Sequence, residues 1–73
     1  MARYSVLLIP DTNEGGFTVT VPLLPGCVTE GGTLEEALAN AREAIQCHLE
    51  GLAADGLPLP AEADPPRLTA VEV

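Results

Sequence analysis

The chain has 73 residues and is strongly acidic, with 11 Asp and Glu residues against 3 Arg and no Lys, for a formal net charge of −8. Sequence-independent binding of DNA or RNA depends on Lys and Arg displacing counterions, so this composition argues against direct contact with nucleic acid. The longest apolar run, residues 6–10, is far shorter than the roughly 20 residues that cross a bilayer. Two cysteines and no basic-then-apolar leader predict a cytoplasmic protein without a disulfide framework. The length predicts one small domain over residues 1–73.

Two strands joined by a hairpin loop are predicted at the start of the chain. Residues 4–9 are rich in β-formers and carry apolar side chains on both faces, which is typical of a central strand. Residues 11–16, DTNEGG, form a turn-rich run in which glycines can supply positive φ. Residues 17–21 then alternate, with Phe17, Val19 and Val21 facing the core.

A second reversal follows at Pro25 and Gly26, whose order suits the two central positions of a type II turn. Residues 27–30 predict a short third strand, and Cys27 is expected to pack there as a small hydrophobe. Two glycines then lead into the next element.

A long amphipathic helix is predicted to begin at Thr33 or Leu34 and to end near residues 53–54. Thr33 and Glu36 have the capping-box spacing, in which the hydroxyl accepts from the Glu36 amide and the carboxylate reaches back to the Thr33 amide. Asp55 and Gly56 predict the C-terminal stop. The apolar stripe expected to face the core comprises Leu34, Leu38, Ala41, Ile45, His48 or Leu49, and Leu52, widened by Ala37 and Ala44. The opposite face is the candidate partner-binding surface, formed by Glu36, Asn40, Glu43 and Glu50.

The C-terminal part is predicted to be a Pro-rich extended connection over residues 57–66, followed by a fourth strand over residues 67–73. The expected fold is therefore α+β with the order β-β-β-α-β, a three-stranded antiparallel meander covered by one helix. A small sheet of this kind keeps an exposed edge, which favours a homodimer or a higher symmetric oligomer such as a tetramer.

Taken together, the motifs resemble the HicB family in register over residues 4–60. The matching positions are Tyr4-x-Val6-x-Leu8, Gly16-Phe17-x-Val19-x-Val21-Pro22, Leu24-Pro25-Gly26-Cys27, Gly32-Thr33, Glu35-Glu36-Ala37, Asn40-Ala41-x-Glu43-Ala44 and Gly56-x-Pro58-x-Pro60. The resemblance implies a partial ribonuclease H-like fold and an antitoxin that binds and masks HicA, a small basic toxin that cleaves mRNA. Family members typically add a C-terminal DNA-binding domain, which is not expected here because the chain ends at Val73, and Leu23 stands where the family often has an acid. The alternative is an orphan homo-oligomeric scaffold or regulator without a toxin.

The sequence supports an enzymatic function less well than a binding function. A Cys27 nucleophile would need a base, and the only histidine, His48, lies on or beside the apolar stripe. A metal site built on Cys27, Cys47 and His48 would place two neighbouring helix residues about 100° apart around the axis. A nuclease-type carboxylate cluster is not expected either, because the first two strands contain no acid. We therefore expect no enzymatic activity, no metal and no cofactor.

Overall fold

The computed structural model describes residues 2–73. It contains three strands and one helix: β1 (Leu7–Pro10), β2 (Phe17–Thr20), β3 (Val28–Gly31) and α1 (Leu34–Ala54). The strands form one antiparallel sheet in the order β1-β2-β3, and α1 packs on one face of it. The α+β class, the meander and the long helix are thus as the sequence predicts.

The first hairpin is held by its loop as well as by its strands. Leu7 pairs with Thr20 and Pro10 with Phe17. In the loop, Asp11 Oδ1 accepts the amide hydrogens of Asn13 and Glu14 at donor-acceptor distances of 2.9 and 3.1 Å. These bonds satisfy backbone donors that the ladder cannot reach, so the loop has a defined shape.

The second reversal confirms the turn predicted at Pro25 and Gly26. The Cys27 amide donates to the Leu24 carbonyl oxygen at 3.0 Å, and Gly26 has φ +86°, a value that favours glycine. Leu24 and Cys27 are buried on either side of the turn. The turn therefore contributes core side chains in addition to reversing the chain.

The helix begins with a capping arrangement that differs in one partner from the prediction. The Glu36 amide donates to Thr33 Oγ1 at 3.1 Å, as expected, but Glu36 Oε1 accepts from the Gly32 amide at 2.9 Å and not from that of Thr33. Thr33 has an extended backbone with φ −130° and ψ 166°, and this places the Gly32 amide within reach of the carboxylate. The helix ends at Asp55 as the C-cap, and Gly56 follows with φ +69°.

The contact between helix and sheet is built from small residues. Ala37 and Ala41 pack against the fully buried Val19, and a second cluster joins Val21, Leu24 and Cys27. Gly31 approaches the Ala37 backbone so closely that a Cβ atom on Gly31 would clash with it. Short side chains on both sides allow the helix to lie low over β2 and β3.

Part of the predicted apolar stripe is not buried. Leu34 is 51% exposed and Leu38 is 44% exposed, whereas Ala37 is fully buried. Asn40 on one flank of the helix bonds the Glu30 carbonyl of β3, and helical periodicity puts Leu34 and Leu38 on the opposite flank, toward β1. The prediction that these two leucines face the core was wrong for the single subunit.

Two expectations about the sheet also differ from the structure. β1 is an edge strand and not a central one. Residues 67–73 form no strand in the described chain and are exposed along their whole length. The preceding segment returns to the start of β1, where Tyr4 Oη donates to the Pro60 carbonyl oxygen at 2.6 Å and the Ser5 amide donates to Glu62 Oε1 at 2.9 Å.

Candidate functional site: an acidic groove beside β3

An acidic groove runs along the side of the molecule where β3 meets α1. Its larger part is a cavity of about 430 Å³ between the first hairpin loop, β3 and the start of the helix. Its smaller part, about 270 Å³, continues along the helix past Thr29 and Glu43. Asn40 lines both parts. The carboxylates that line the groove are Asp11, Glu14, Glu30, Glu36 and Glu43.

The wall between the two parts is fixed by one side chain. Asn40 Nδ2 donates to the Glu30 carbonyl oxygen at 2.8 Å, which joins the helix to the β3 edge. That carbonyl would otherwise be one of the unpaired backbone groups of an edge strand. The bond therefore fixes the distance between the helix and β3 at this point and satisfies the Glu30 carbonyl.

The carboxylates of Asp11 and Glu36, which line the larger part of the groove, are held by backbone amides. Glu36 is anchored on Gly32, and both Glu35 and Glu36 lie in the first turn of α1, where the helix dipole favours negative charge. The amides of Glu14 and Asn13 bond Asp11 and lower the pKa of its carboxyl. Asp11 therefore carries its negative charge to lower pH than an ordinary aspartate.

This arrangement suits a cationic ligand. The lining residues that the structure describes include no Lys, Arg or His, so the carboxylates have no positive side chain among them. Like charges gathered along one groove attract basic side chains more strongly than the same charges dispersed over the surface. Within residues 2–73, no group of three or more His, Cys, Asp and Glu side chains is arranged to hold a metal ion. The geometry favours Arg or Lys side chains of another molecule.

Three of the four candidate partner-binding residues meet at this groove. Glu36, Asn40 and Glu43 line it, whereas the exposed Glu50 lines neither part. Sequence reasoning missed Asp11, Glu14 and Glu30 because they lie on the hairpin loop and on β3, outside the helical periodicity that groups the acids of α1. The available signal was the meander itself, which returns β3 and the first loop to the same end of the sheet.

The turn residue Cys27 serves packing. It is 6% exposed, and burial, with a smaller contribution from Cys47, raises the pKa of its thiol. A raised pKa disfavours the thiolate, which is the nucleophilic form. Cys47 is an exposed free thiol on the helix and lines the smaller part of the groove.

Comparison with known families agrees with the arrangement of strands, turn and helix. A family model described as a HicB-like antitoxin of bacterial toxin-antitoxin systems matches residues 4–70. The chain belongs to this family. The resemblance found in the sequence motifs is thereby confirmed, and the matched residues of this HicB-like chain include all three strands, the helix and the whole groove.

Relatives occur in archaea, bacteria and a phage. The HicB-like chain is 46% identical to a UPF0150 protein of Thermoplasma acidophilum over 50 residues, which cover 68% of the chain and 71% of that relative. It is 42% identical to a UPF0150 protein of Synechocystis over 60 residues, covering 82% and 75%. An uncharacterised 14.9 kDa protein of Haemophilus phage HP1 is 51% identical over 54 residues, covering 74% of the chain and 40% of the phage protein.

The helix is too polar to be a membrane span. In the part of the chain that the structure describes, no helix is both long and apolar enough to cross a bilayer.

Proposed function

We propose that this HicB-like chain is an antitoxin-type binding domain that masks a small basic toxin of the HicA type by holding its basic side chains in the acidic groove. The single observation that supports this most directly is the groove, in which five carboxylates surround a cavity of about 430 Å³ and its continuation without a cationic side chain among the lining residues. An antitoxin that covers an RNA-binding surface must replace phosphate contacts with contacts of its own. Carboxylates supply these contacts, because Arg and Lys bind carboxylate and phosphate with similar geometry.

The charge of the whole chain supports the same role. A net charge of −8 on 73 residues generates a negative field that speeds encounter with a basic protein. The five carboxylates of the groove concentrate negative charge at one place on the surface. Steering and local pairing together favour a basic partner over a neutral one.

The domain is proposed to act without enzymatic chemistry, cofactor or direct contact with nucleic acid, in the cytoplasm and as a homo-oligomer. Exposed apolar side chains on β1 and on the neighbouring helix flank support self-association, notably Ile9, Leu34 and Leu38. The alternative is an orphan homo-oligomeric scaffold or regulator. The same exposed apolar side chains support this alternative, but the alternative leaves the acidic groove without a ligand.

The proposal expects a short basic protein to be encoded beside this chain, and the experiment is co-expression and direct binding with that protein. Co-expression is expected to relieve growth arrest, and calorimetry is expected to show binding that weakens between 50 and 500 mM salt, since salt screens exposed charges over about 10 Å at 0.1 M. Glu43→Lys is expected to weaken binding about tenfold, which corresponds to about 1.4 kcal/mol. Glu43 is the right position because it lines the groove without capping the helix.

Glu50→Lys is the matched control. It makes the same charge change on the same helix but outside the groove lining, so it is expected to reduce affinity less than threefold, about 0.6 kcal/mol. Equal effects of the two substitutions would show that net charge alone drives binding and would contradict the groove as the site. Absence of a basic neighbour, together with a stable homo-oligomer, would favour the scaffold role.

A further inference from the structure

The last seven residues form an exposed arm that is patterned as a strand. Within residues 67–73, hereafter the C-terminal arm, Leu68 is 88% exposed and Val71 is 82% exposed. The radius of gyration is 13.7 Å, against about 11 Å for a compact chain of this length. Small proteins rarely hold an apolar segment in water, because its burial is the main source of stability. The arm therefore lacks its packing partner in the single subunit.

The segment before the arm is held at the end of the sheet where β1 begins and β2 ends. Ser5 holds Glu62 through two hydrogen bonds, of 2.9 Å from its amide and 2.6 Å from its hydroxyl. Beyond this clasp the chain crosses the end of the sheet, and Pro66 lines one shallow cavity together with Pro22 and Leu23. Pro65 lines a second cavity with Tyr4 and Ser5, which precede β1, so the arm starts at this end of the sheet. The clasp and the stiff prolines at 65–66 oppose a return to its own β1.

The other unsatisfied surface is the outer edge of β1. In residues 2–73, β1 pairs only with β2, and Leu7 and Ile9 are 36% and 48% exposed. The helix flank that faces the β1 side carries the exposed Leu34 and Leu38. A strand added beside β1 would extend the sheet beneath that flank and cover both leucines.

We propose that the C-terminal arm of one copy adds as a strand to the β1 edge of a second copy, and that reciprocal exchange of the two arms forms a two-fold symmetric dimer. An arm of seven residues spans about 23 Å as a strand, enough to cover the four residues of β1. Its apolar side chains lie on both faces, Leu68 and Ala70 on one and Val71 and Val73 on the other. One face would pack beneath the helix flank and the other would continue the open face of the sheet.

This exchange accounts for three differences between the structure of the single subunit and the predictions from its sequence. Apolar side chains on both faces of residues 4–9 predict a central strand, and β1 becomes central when an arm pairs with it. Residues 67–73 become the fourth strand that their pattern predicts. Leu34 and Leu38 become core residues. The inference specifies the geometry of the proposed homo-oligomer and does not depend on the toxin partner.

The first test measures the oligomeric state of the full chain by sedimentation equilibrium. Thr69→Pro removes a backbone donor and cannot continue a ladder, whereas Thr69→Val preserves the strand pattern. We expect Thr69→Pro to raise the dimer dissociation constant at least tenfold and Thr69→Val to change it less than about twofold. Circular dichroism is expected to keep the helix in both variants, since the arm is exposed along its whole length.

A matched pair on the sheet tests the acceptor edge. Ile9→Lys introduces a charge beside the β1 edge, and Val28→Lys introduces the same charge on β3, where the native side chain is 57% exposed. Ile9→Lys is expected to weaken the dimer at least tenfold, and Val28→Lys less than about twofold. A dimer that is unaffected by Thr69→Pro and Ile9→Lys would overturn the exchange while leaving the homo-oligomer standing; a monomeric wild-type chain would overturn both.

Disulfide trapping identifies the strand that occupies the edge. In a background with Cys27→Ala and Cys47→Ala, copies that carry Ile9→Cys are mixed with copies that carry a cysteine at Leu68, Thr69 or Ala70. Mass spectrometry of the oxidised mixture is expected to find bonds between position 9 of one copy and one of the arm positions of the other. Bonds only between two copies of position 9 would show that β1 pairs with β1 and would overturn the proposal. An intramolecular bond in a chain carrying both substitutions would show that the arm folds back on its own sheet, with the same consequence.

Discussion

The β3 edge and the β1 edge belong to the same three-stranded sheet, yet among residues 2–73 a side chain of α1 bonds only the β3 edge. At β3, Gly31 lies against the Ala37 backbone and Asn40 bonds the Glu30 carbonyl, so the helix is fixed to this edge, which we call the closed edge and which is bordered by charge. At β1, Ile9 and Leu38 remain exposed. The β3 edge carries the candidate binding groove, and the β1 edge carries the surface that we propose for self-association. In this domain the lateral position of one helix separates two modes of contact.

The largest expected effect is at the closed edge. Gly31→Ala places a methyl group against the Ala37 backbone, and we expect a loss of about 3 kcal/mol in the free energy of unfolding, since neither backbone can move without opening the core. Urea unfolding followed by circular dichroism measures it. The control is Gly51→Ala, which meets no neighbouring atom within 4 Å and is expected to gain about 0.5–1 kcal/mol. A loss below 1 kcal/mol for Gly31→Ala would mean that the helix does not lie so close to β3.

The open edge is tested by Leu38→Ala. In a dilute monomer the 44% exposed side chain is expected to contribute about 1 kcal/mol, against about 3 kcal/mol for Leu24→Ala, because Leu24 is fully buried. At concentrations that favour the dimer, Leu38→Ala is expected to cost more, whereas the cost of Leu24→Ala stays the same. Unfolding at two protein concentrations separates these cases. A cost of Leu38→Ala that is independent of concentration would place the leucine outside any interface between copies.

Loss of the hydrogen bond from Asn40 is expected to lower the free energy of unfolding by less than the two changes above. Asn40→Ala removes the cover from the Glu30 carbonyl and is expected to lower the free energy of unfolding by about 0.5–1 kcal/mol. Asn40→Asp is an informative companion, because its carboxylate cannot donate to that oxygen and adds one more charge to the groove. Both variants are expected to lose protection from amide exchange at β3 and to keep it at β2, as NMR can measure. Unchanged protection at β3 would indicate that the side chain does not cover the edge.

The smallest effect concerns the clasp that directs the arm. Hydrogen bonds from the Ser5 side chain and amide, with a contribution from Arg3, lower the pKa of the Glu62 carboxyl below its ordinary 4.5. Because the folded pKa is the lower one, the clasp stabilises the fold above the ordinary carboxyl pKa and loses this contribution as the pH falls through the folded pKa. The Ser5 amide resonance is expected to titrate with a midpoint below 4.5. Glu62→Gln is expected to abolish that titration, and a midpoint at or above 4.5 would contradict the clasp.

Much of the fold could be predicted because its signals are local. The capping spacing of Thr33 and Glu36, the turn at Pro25 and Gly26, and the stop at Gly56 each act within a few residues, and the structure has all three. One detail of the cap differs from the prediction. The Glu36 carboxylate accepts from the Gly32 amide and not from the Thr33 amide, because the backbone at Thr33 is extended.

Only part of the candidate site could be predicted, because the rest of it depends on pairing between strands and not on local signals. Glu36 and Glu43 lie on one helix, and helical periodicity alone puts them on one side. Asp11 and Glu30 join them only after the meander has formed. Their proximity depends on strand register, which is set by pairing among β1, β2 and β3 and not by helical periodicity.

The sequence by itself determined the order of the three strands and the helix, the two turns, the cap and bounds of the helix, and membership of a HicB-like family, because propensity, glycine conformation and side-chain capping act over short distances. Only the tertiary structure decided which edge the helix covers, which leucines remain exposed and which acids share a groove. These depend on the lateral position of a helix whose contact residues, Ala37 and Ala41, are small enough to let it shift toward β3. A periodic stripe specifies a face of the helix, but the sheet on which that face rests specifies how much of the stripe is buried.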